Sequence, residues 1–252
     1  MTTAVEHRIA ELCSQFRLPT VSEQLHLRLE LADQRAAIPT VVEVLEMEAE
    51  ARQHRRVARL LAASKLPPGK TFDLFESSRL PSALRKQIDL LSTGEFLADA
   101  TNVLCFGLPG TGKSHVAAAV GHALVQQGRT VLFTPTFQLV QELLAAKRDL
   151  ELPRVLRKLD GFELIVLDDI GYVQQSAEEI EVLFTLLAER YERRSLLITS
   201  NLVFHEWDQI FKNPMTTAAA IDRLVHHSVI LEFSVESYRT DTAKKRQSKV
   251  RG

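Results

Sequence analysis

One short segment constrains the fold of this chain more than any other feature. It has the form G-x-x-x-x-G-K-S and consists of Gly107, Leu108, Pro109, Gly110, Thr111, Gly112, Lys113 and Ser114. An apolar run at 103–106 precedes it, and a segment of small residues at 116–125 follows it. Because glycines let backbone amides point inward and the start of a helix adds positive potential, a strand–loop–helix unit of this kind cradles phosphate.

The lysine and the serine give this loop its chemistry. We expect Lys113 to contact the β- and γ-phosphates of ATP and Ser114 to ligate Mg²⁺, with His115 as the last nucleotide-binding residue. A chance glycine-rich turn is the alternative, and the position between a strand and a helix argues against it. The segment therefore predicts an ATP-binding loop of the P-loop class.

Two carboxylates end a second apolar run, at residues 164–169. Doubly wound sheets place their ligands at the carboxyl ends of strands such as this one. We expect Asp168 to hold Mg²⁺, through water, and Asp169 to polarise the water that attacks the γ-phosphate. The alternative for Asp169 is a capping role in the turn before Gly171.

Two further polar residues are candidates for catalysis. Asn201 follows the next apolar run, 196–199, and can sense the γ-phosphate and the attacking water; an ordinary loop asparagine is the alternative. Arg223 lies near the end of a predicted helix before the last strand. It either stabilises transition-state charge on a nucleotide bound to a neighbouring subunit or pairs with a surface acid such as Asp222.

Short apolar runs alternate with helical stretches after residue 69. The candidate strands are 102–106, 130–133, 163–167, 195–199 and 228–233. This alternation predicts an α/β fold, with a parallel sheet between two layers of helices. We expect this three-layer ATPase domain at 69–238 and a basic, disordered tail at 239–252.

Residues 1–68 predict a separate helical domain. Thr20 with Glu23, and Thr40 with Glu43, have the spacing of capping boxes, each directly after a proline. The Pro-Pro-Gly at 67–69 is the strongest structure breaker in the chain and predicts the domain boundary.

The last helix of that domain carries basic residues on one face. Their spacing is i, i+3, i+4 and i+7, and they are Arg52, Arg55, Arg56 and Arg59. The pattern predicts either contact with DNA phosphates or a solvated face paired with acids such as Glu48.

Composition limits the class of protein. The net charge is -1, so any contact with DNA must come from local patches rather than from a global basic field. Cys13 and Cys105 lack CxxC spacing and predict buried residues in a reducing compartment. His226 and His227 lie beside the last strand without a second ligand cluster, which argues against metal binding, and we expect them to border a subunit contact. No apolar run approaches the ~20 residues of a membrane span. The expected location is cytoplasmic, with no membrane partner.

The loop and five further segments together resemble the IstB group of AAA+ ATPases. These are ATP-binding helpers of bacterial insertion sequences and relatives of DnaC-type helicase loaders. The resemblance covers about residues 70–245, and its segments are 110–115, 167–172, 190–195, 199–202, 221–227 and 237–239.

This resemblance implies a function. It implies ATP-dependent self-assembly on double-stranded DNA, stimulation of a cognate transposase, and ATP hydrolysis that drives disassembly. It also implies that Arg223 acts in trans and that the N-terminal helices bind DNA or the transposase. Most AAA+ proteins have glutamate at the position of Asp169, whereas the IstB group commonly has aspartate there. The shorter side chain suggests slow turnover. The short remainder after the last strand suggests no C-terminal lid. Arg239 either replaces the sensor arginine of that lid or contributes only to the charge of the tail.

Three other functions are compatible with a P-loop. A helicase loader of the DnaC type has the same ATPase chemistry and a replicative helicase as partner. A small-molecule kinase needs an acceptor pocket and an arginine-bearing lid, whereas Asp168, Asp169 and Asn201 suit activation of water. A nucleotide-gated DNA scaffold would lack appreciable hydrolysis.

Overall fold

The computed structural model describes residues 2–171, 176–202, 206–207, 214–235 and 237–238. The chain divides into two compact units, one up to Arg59 and one from Leu60 onward. The division falls inside a long helix, α3 (Ile38–Ser64). The boundary predicted at 68–69 follows this helix and stays a prediction. The tail at 239–252, with Arg239, lies outside the described residues.

The first unit is helical. Its helices are α1 (Thr2–Phe16), α2 (Pro19–Leu31) and the first part of α3. Their facing apolar side chains form a small core that contains Ile9, Cys13, Ile38, Leu25, Leu29 and Leu45. The predicted capping boxes are wrong, because α2 begins at Pro19 without a side-chain cap and α3 begins at Ile38. Proline fits the first helical turn, where its missing N–H needs no partner, so each helix starts before the threonine.

The second unit is built around five parallel strands. They are β1 (Asn102–Gly107), β2 (Val131–Pro135), β3 (Leu164–Ile170), β4 (Ser195–Ser200) and β5 (Ser228–Phe233), in the spatial order β2-β3-β4-β1-β5. Most residues of β1, β3 and β4 are buried, as in parallel strands covered on both faces. The predicted α/β fold is therefore confirmed.

Six helices of this unit accompany the sheet in the described ranges. They are α4 (Ser82–Ser92), α5 (Lys113–Gln126), α6 (Thr136–Arg148), α7 (Leu152–Asp160), α8 (Ala177–Arg190) and α9 (Pro214–Val225). Helix α8 begins with a capping box in which Ser176 and Glu179 bond each other's backbone. None of the helices in the described ranges is long and apolar enough to cross a membrane.

A buried arginine joins the segments at the amino ends of β3 and β4, opposite the end of the sheet that carries the phosphate loop. Arg190 is 2 % exposed, and its guanidinium donates to the carbonyl oxygens of Leu159, Phe162 and Ser195 at 2.9–3.0 Å. These carbonyls belong to α7, the turn before β3, and the start of β4. Burial lowers the pKa of Arg190 to about 10. The three carbonyl dipoles stabilise the buried charge. In return, the guanidinium joins the segments at which β3 and β4 begin.

Candidate active site

The phosphate loop leaves the carboxyl end of β1 and enters α5. Gly107 ends β1, and a Cβ at this position would lie 2.5 Å from the carbonyl oxygen of Phe233 on β5. Gly112 has φ +100, and a Cβ there would lie 3.1 Å from the Phe75 ring. Glycine is required at Gly107 because backbone already fills the space of a side chain, and at Gly112 because side chains rarely adopt this positive φ. The first turn of α5 then directs backbone N–H groups toward the loop, which is the arrangement that binds phosphate.

The lysine of the loop is buried and held by three oxygen acceptors. Lys113 is 6 % exposed. Its ammonium donates to the carbonyl oxygens of Gly107 and Leu108 at 2.7 and 2.9 Å and to Oδ1 of Asn201 at 2.8 Å. These contacts place the positive charge at the mouth of the loop, where the phosphates of a nucleotide would lie.

The two predicted carboxylates and the predicted sensor form one hydrogen-bonded chain. Thr199 Oγ1 donates to Asp168 Oδ1 at 2.7 Å and accepts from the backbone N–H of Asp169 at 2.8 Å. Asn201 Nδ2 donates to Asp169 Oδ1 at 2.8 Å. Because Asn201 also accepts from Lys113, the lysine and both acids are connected through Thr199 of β4 and through Asn201, which directly follows that strand. The structure thus brings together four residues that the sequence predicted separately.

An irregularity in β3 directs the second acid toward the nucleotide site. The β3–β4 register shifts between Leu167 and Ile170, and Asp169 has a left-handed φ of +62. This conformation is uncommon for a residue with a side chain and is concentrated at functional sites. Asp169 lines the cavity beside the loop, while Asp168 lies behind it, one hydrogen bond away through Thr199.

The residues present fit a magnesium ion. The Ser114 hydroxyl and the Asp168 and Asp169 carboxylates are hard oxygen donors of the kind that Mg²⁺ prefers, together with water and phosphate. Ser114 and Asp169 both line the cavity, and Asp168 accepts a hydrogen bond from Thr199, which lines it as well. With Mg²⁺ and nucleotide bound, the metal would neutralise charge on the phosphate oxygens.

The cavity extends from the loop to residues that precede β1 and follow β5. Its volume is about 410 Å³. One wall is polar and comprises the loop, Asp169, Thr199 and Asn201; the other consists of Lys70, Leu74, Phe75, Glu76 and Tyr238. Leu74, Phe75 and Tyr238 give this wall aromatic and apolar surface beside the phosphate cradle, which suits the base of a nucleotide.

Tyr238 fixes this second wall to the loop. Its backbone N–H donates to Gly110 O at 3.0 Å, and its hydroxyl donates to Glu76 O at 2.9 Å. The Arg79 guanidinium lies 4.6 Å from the centre of the Tyr238 ring, and Phe75 lies 6.1 Å away. The sequence motifs missed Phe75, because only its aromatic character between the Pro-Pro-Gly and the loop signalled it. Tyr238 was present in the last segment of the family resemblance, without an assigned role.

The predicted arginine lies at the opposite end of the sheet. Arg223 is half-buried, its guanidinium 4.7 Å from the centre of the Phe184 ring and its Nη1 3.3 Å from Ala219 O. The next residue, Leu224, accepts a hydrogen bond from the side chain of Asn102, the first residue of β1. The phosphate loop begins at the other end of β1, roughly 17 Å away at about 3.3 Å per residue. Arg223 is thus not brought together with the other predicted catalytic residues.

The four arginines predicted to contact DNA lie exposed on α3. Arg52 and Arg55 both bond Glu48, at 2.6 and 3.1 Å, and these contacts lower the pKa of that carboxyl, Arg52 most strongly. The Arg52 guanidinium also lies 4.4 Å from the centre of the Phe16 ring. For Arg52 and Arg55 the structure therefore contains the pairing with Glu48 that was the alternative to DNA contact.

Comparison with known proteins identifies the family. Residues 13–248 match the IstB-like ATP binding protein family. A Sinorhizobium fredii protein, named as an insertion-sequence ATP-binding protein, is 44 % identical over 96 % of this chain and 82 % of its own length. A Pseudomonas aeruginosa protein, named for ATP binding and insertion sequence IS21, is 33 % identical over 95 % of this chain and 91 % of its own.

Solved structures support the fold. The DnaC helicase loader aligns with a TM-score of 0.54 and 17 % identity over 70 % of this chain and 99 % of that chain. DnaA from Aquifex aeolicus, bound to AMPPCP, aligns with a TM-score of 0.57 and 17 % identity over 74 % of this chain and 57 % of that one. The strand order, the loop and the family match agree with each other, and the chain is a member of the IstB-like family of ATP-binding proteins, with the AAA+ P-loop fold.

Proposed function

We propose that this protein is an ATP-dependent, DNA-binding regulator of transposition. It assembles on double-stranded DNA with ATP bound, stimulates a partner transposase encoded by the same insertion sequence, and disassembles after ATP hydrolysis. The similarity to insertion-sequence proteins over nearly the whole chain supports the transposition context.

The proposed assembly is supported by the distance between Arg223 and the other predicted catalytic residues. Lys113, Asp169 and Asn201 are linked at the carboxyl end of the sheet. Arg223 is tied to the amino end of β1 through its neighbour Leu224. An arginine in that position reaches a nucleotide only on another subunit, so a head-to-tail assembly completes the site.

Each residue then has a defined task. Lys113 and the loop amides bind the phosphates. Ser114 with Asp168 would hold Mg²⁺, and the ion would neutralise phosphate charge. Asp169 orients and polarises the attacking water, while Asn201 positions Asp169 against the γ-phosphate. Arg223 of the neighbouring subunit stabilises the charge that develops on the transferred phosphoryl group.

The DNA contact is assigned to the first unit. Arg56 and Arg59 continue the exposed basic face of α3 beyond Arg52 and Arg55. Their charges would bind DNA phosphates without reading sequence. A test is the double variant Arg56→Ala/Arg59→Ala, which should bind DNA more weakly. The slope of log K against the logarithm of salt concentration should fall by the amount expected for about two phosphate contacts.

A helicase loader is the second candidate, because this chain covers almost the whole of the DnaC structure. At 17 % identity that likeness shows only a common fold, whereas the relatives above 30 % identity are named for insertion sequences. Pull-down of the purified protein with the transposase of its own insertion sequence, against the host replicative helicase, separates the two.

Sedimentation with double-stranded DNA tests the central proposal. We expect large complexes with ATP and DNA, and much smaller ones with ADP, without nucleotide, or with Lys113→Ala. Arg154→Ala is a control, since Arg154 is exposed, lies outside the cavity lining and pairs with Glu151 three residues earlier. Equal sedimentation with and without ATP would refute the assembly switch.

A further inference from the structure

Two turns at the amino edge of the sheet bring three ligand-type side chains together. Glu192 lies in the turn between α8 and β4, and His226 and His227 lie in the turn between α9 and β5. One donor atom of each residue lies within 4.8 Å of the others, and all three residues are exposed. The sequence separates the carboxylate from the histidines, so spacing along the chain gave no sign of the cluster.

The distances fit a small cation. Nδ1 of His226 and Nε2 of His227 lie 3.7 and 3.9 Å from the same oxygen, Oε1 of Glu192. Tetrahedral zinc with bonds of about 2.0–2.1 Å places its ligand atoms about 3.4 Å apart. A small rotation of exposed side chains therefore closes the site without any movement of the backbone.

The backbone of both turns is anchored. The carbonyl oxygen of His227 accepts from the backbone N–H of Asn102 at 2.7 Å, and His226 N–H donates to Asp222 O at 3.0 Å. On the other side, Arg193 N–H donates to the carbonyl oxygen of buried Arg190 at 3.0 Å. Pre-positioned ligands lose less conformational freedom on binding, which favours a metal over a chance surface contact.

A fourth polar group supports the cluster from the side. The Tyr191 hydroxyl lies 3.0 Å from Nδ1 of His226. When Nδ1 binds a metal, the hydroxyl is free to donate to the Glu192 carboxylate. Hydrogen-bonded carboxylates of this kind are common around protein metal ligands.

We propose that Glu192, His226 and His227 form a binding site for a divalent transition-metal ion of the zinc class. Two imidazoles and one carboxylate select Zn²⁺ or Co²⁺ over Mg²⁺, which prefers oxygen ligands alone. Water takes the fourth position. The ion joins the end of α9, which carries Arg223, to the end of α8.

Metal binding to the nucleotide-free full-length protein tests the site. Zn²⁺ is titrated in competition with a chromophoric chelator, and Co²⁺ is followed by its visible absorption. We expect one equivalent with intense tetrahedral cobalt bands, retained in excess Mg²⁺. Each of Glu192→Gln, His226→Gln and His227→Gln should weaken binding by at least about 10-fold, while Tyr191→Phe has a smaller effect.

His54→Gln and Glu189→Gln are the controls, because both residues are exposed and lie outside the cluster. Both should bind Zn²⁺ as the wild type does, and circular dichroism checks that every variant is folded. Equal binding by the wild type and all three cluster variants would overturn the proposal. Binding of an adventitious ion only would also overturn it. In that case His54→Gln would weaken Zn²⁺ binding as much as His226→Gln or His227→Gln does. A thiolate-to-cobalt band would instead locate the ion at a cysteine and also refute it.

Discussion

The ammonium group of Lys113 donates a hydrogen bond to the side-chain oxygen of Asn201 over 2.8 Å, although 88 positions separate the two residues. The contact exists because β1 and β4 are neighbours in the sheet, so the segments that leave their carboxyl ends meet. The amide nitrogen of Asn201 continues the contact to Asp169. A change at the γ-phosphate could therefore pass from the lysine to Asp169, the acid that we propose activates water, through one amide.

Asn201→Ala should reduce hydrolysis much more than nucleotide binding. Removal of one positioned donor in a catalytic site costs roughly 100-fold in kcat. We expect a loss of this size in DNA-stimulated ATPase rate and a change below about 3-fold in the Kd of a fluorescent ATP analogue. Gln127→Ala removes a comparable amide, bonded to Ser92 O away from the site, and should leave both values unchanged. Equal losses in the two variants would contradict the sensor role.

Asp169→Asn should separate ATP binding from hydrolysis. The amide has the same shape as the carboxylate but does not accept a proton from water, so we expect a rate loss of at least about 100-fold. Complexes on DNA should form with ATP and then persist. The rate is measured by phosphate release and the lifetime by dilution into competitor DNA. An unchanged hydrolysis rate would remove Asp169 from the catalytic assignment.

Arg223 can be tested by mixing two inactive proteins. Asp169→Asn loses hydrolysis at its own site but still binds ATP, assembles and offers Arg223, whereas Arg223→Ala retains Asp169. If the arginine acts between subunits, each variant alone is nearly inactive and their mixture recovers part of the DNA-stimulated ATPase rate. Recovery should peak near equal proportions. A mixture as inactive as its components would place Arg223 outside the neighbouring site.

Thr199→Val should disturb both acids at once. The hydroxyl is buried, donates to Asp168 and accepts from the Asp169 backbone. Its loss leaves a carboxylate and an N–H without these partners, which costs about 2–3 kcal/mol of unfolding free energy. We also expect at least about a 10-fold fall in ATPase rate at limiting Mg²⁺. Thr199→Ser retains the hydroxyl and should restore the rate; a fully active Val variant would show that the bridge is dispensable.

Cys105 gives a prediction for stability against pH. Burial raises the pKa of this thiol from 9.0 to about 12, so the folded protein keeps a proton that the unfolded chain releases above pH 9. Stability should therefore fall as pH rises from 9 toward 12. Between pH 8 and pH 10 this thiol should lower the free energy of unfolding by about 1.4 kcal/mol. Urea unfolding of wild type and Cys105→Ala measures it, since other titrations cancel in the difference. Parallel pH dependence of the two proteins would contradict the assignment.

The sequence predicted those parts of the site whose chemistry is local. The phosphate loop needs glycines at fixed places and a lysine at its end, and the acids follow a buried strand, so both could be read from the chain. The contact of Lys113 with Asn201 could not, because it depends on which strands are neighbours. The wall formed by Phe75 and Tyr238 escaped for the same reason, since it joins segments from before β1 and after β5.

The two errors at the first helices have a different origin. Thr20 and Thr40 have the residue types and spacing of a cap, but a preceding proline starts each helix earlier. Proline's fixed φ thus outweighs a side-chain hydrogen bond at these positions. The cap that does form, Ser176 with Glu179, follows a segment without proline.

Asn102 has a consequence for any assembly of this protein. Its backbone donates to His227, and its side chain bonds Leu224 and the N–H of Leu196. One residue thus fixes α9 to the start of the strand that ends at the phosphate loop. In a head-to-tail assembly, the length of β1 would then set the distance between two nucleotides. One is bound by the subunit itself, and the other is bound by the neighbouring subunit and contacted by Arg223. A change at Asn102 should alter the spacing of neighbouring subunits in such an assembly before it alters the chemistry of any single site.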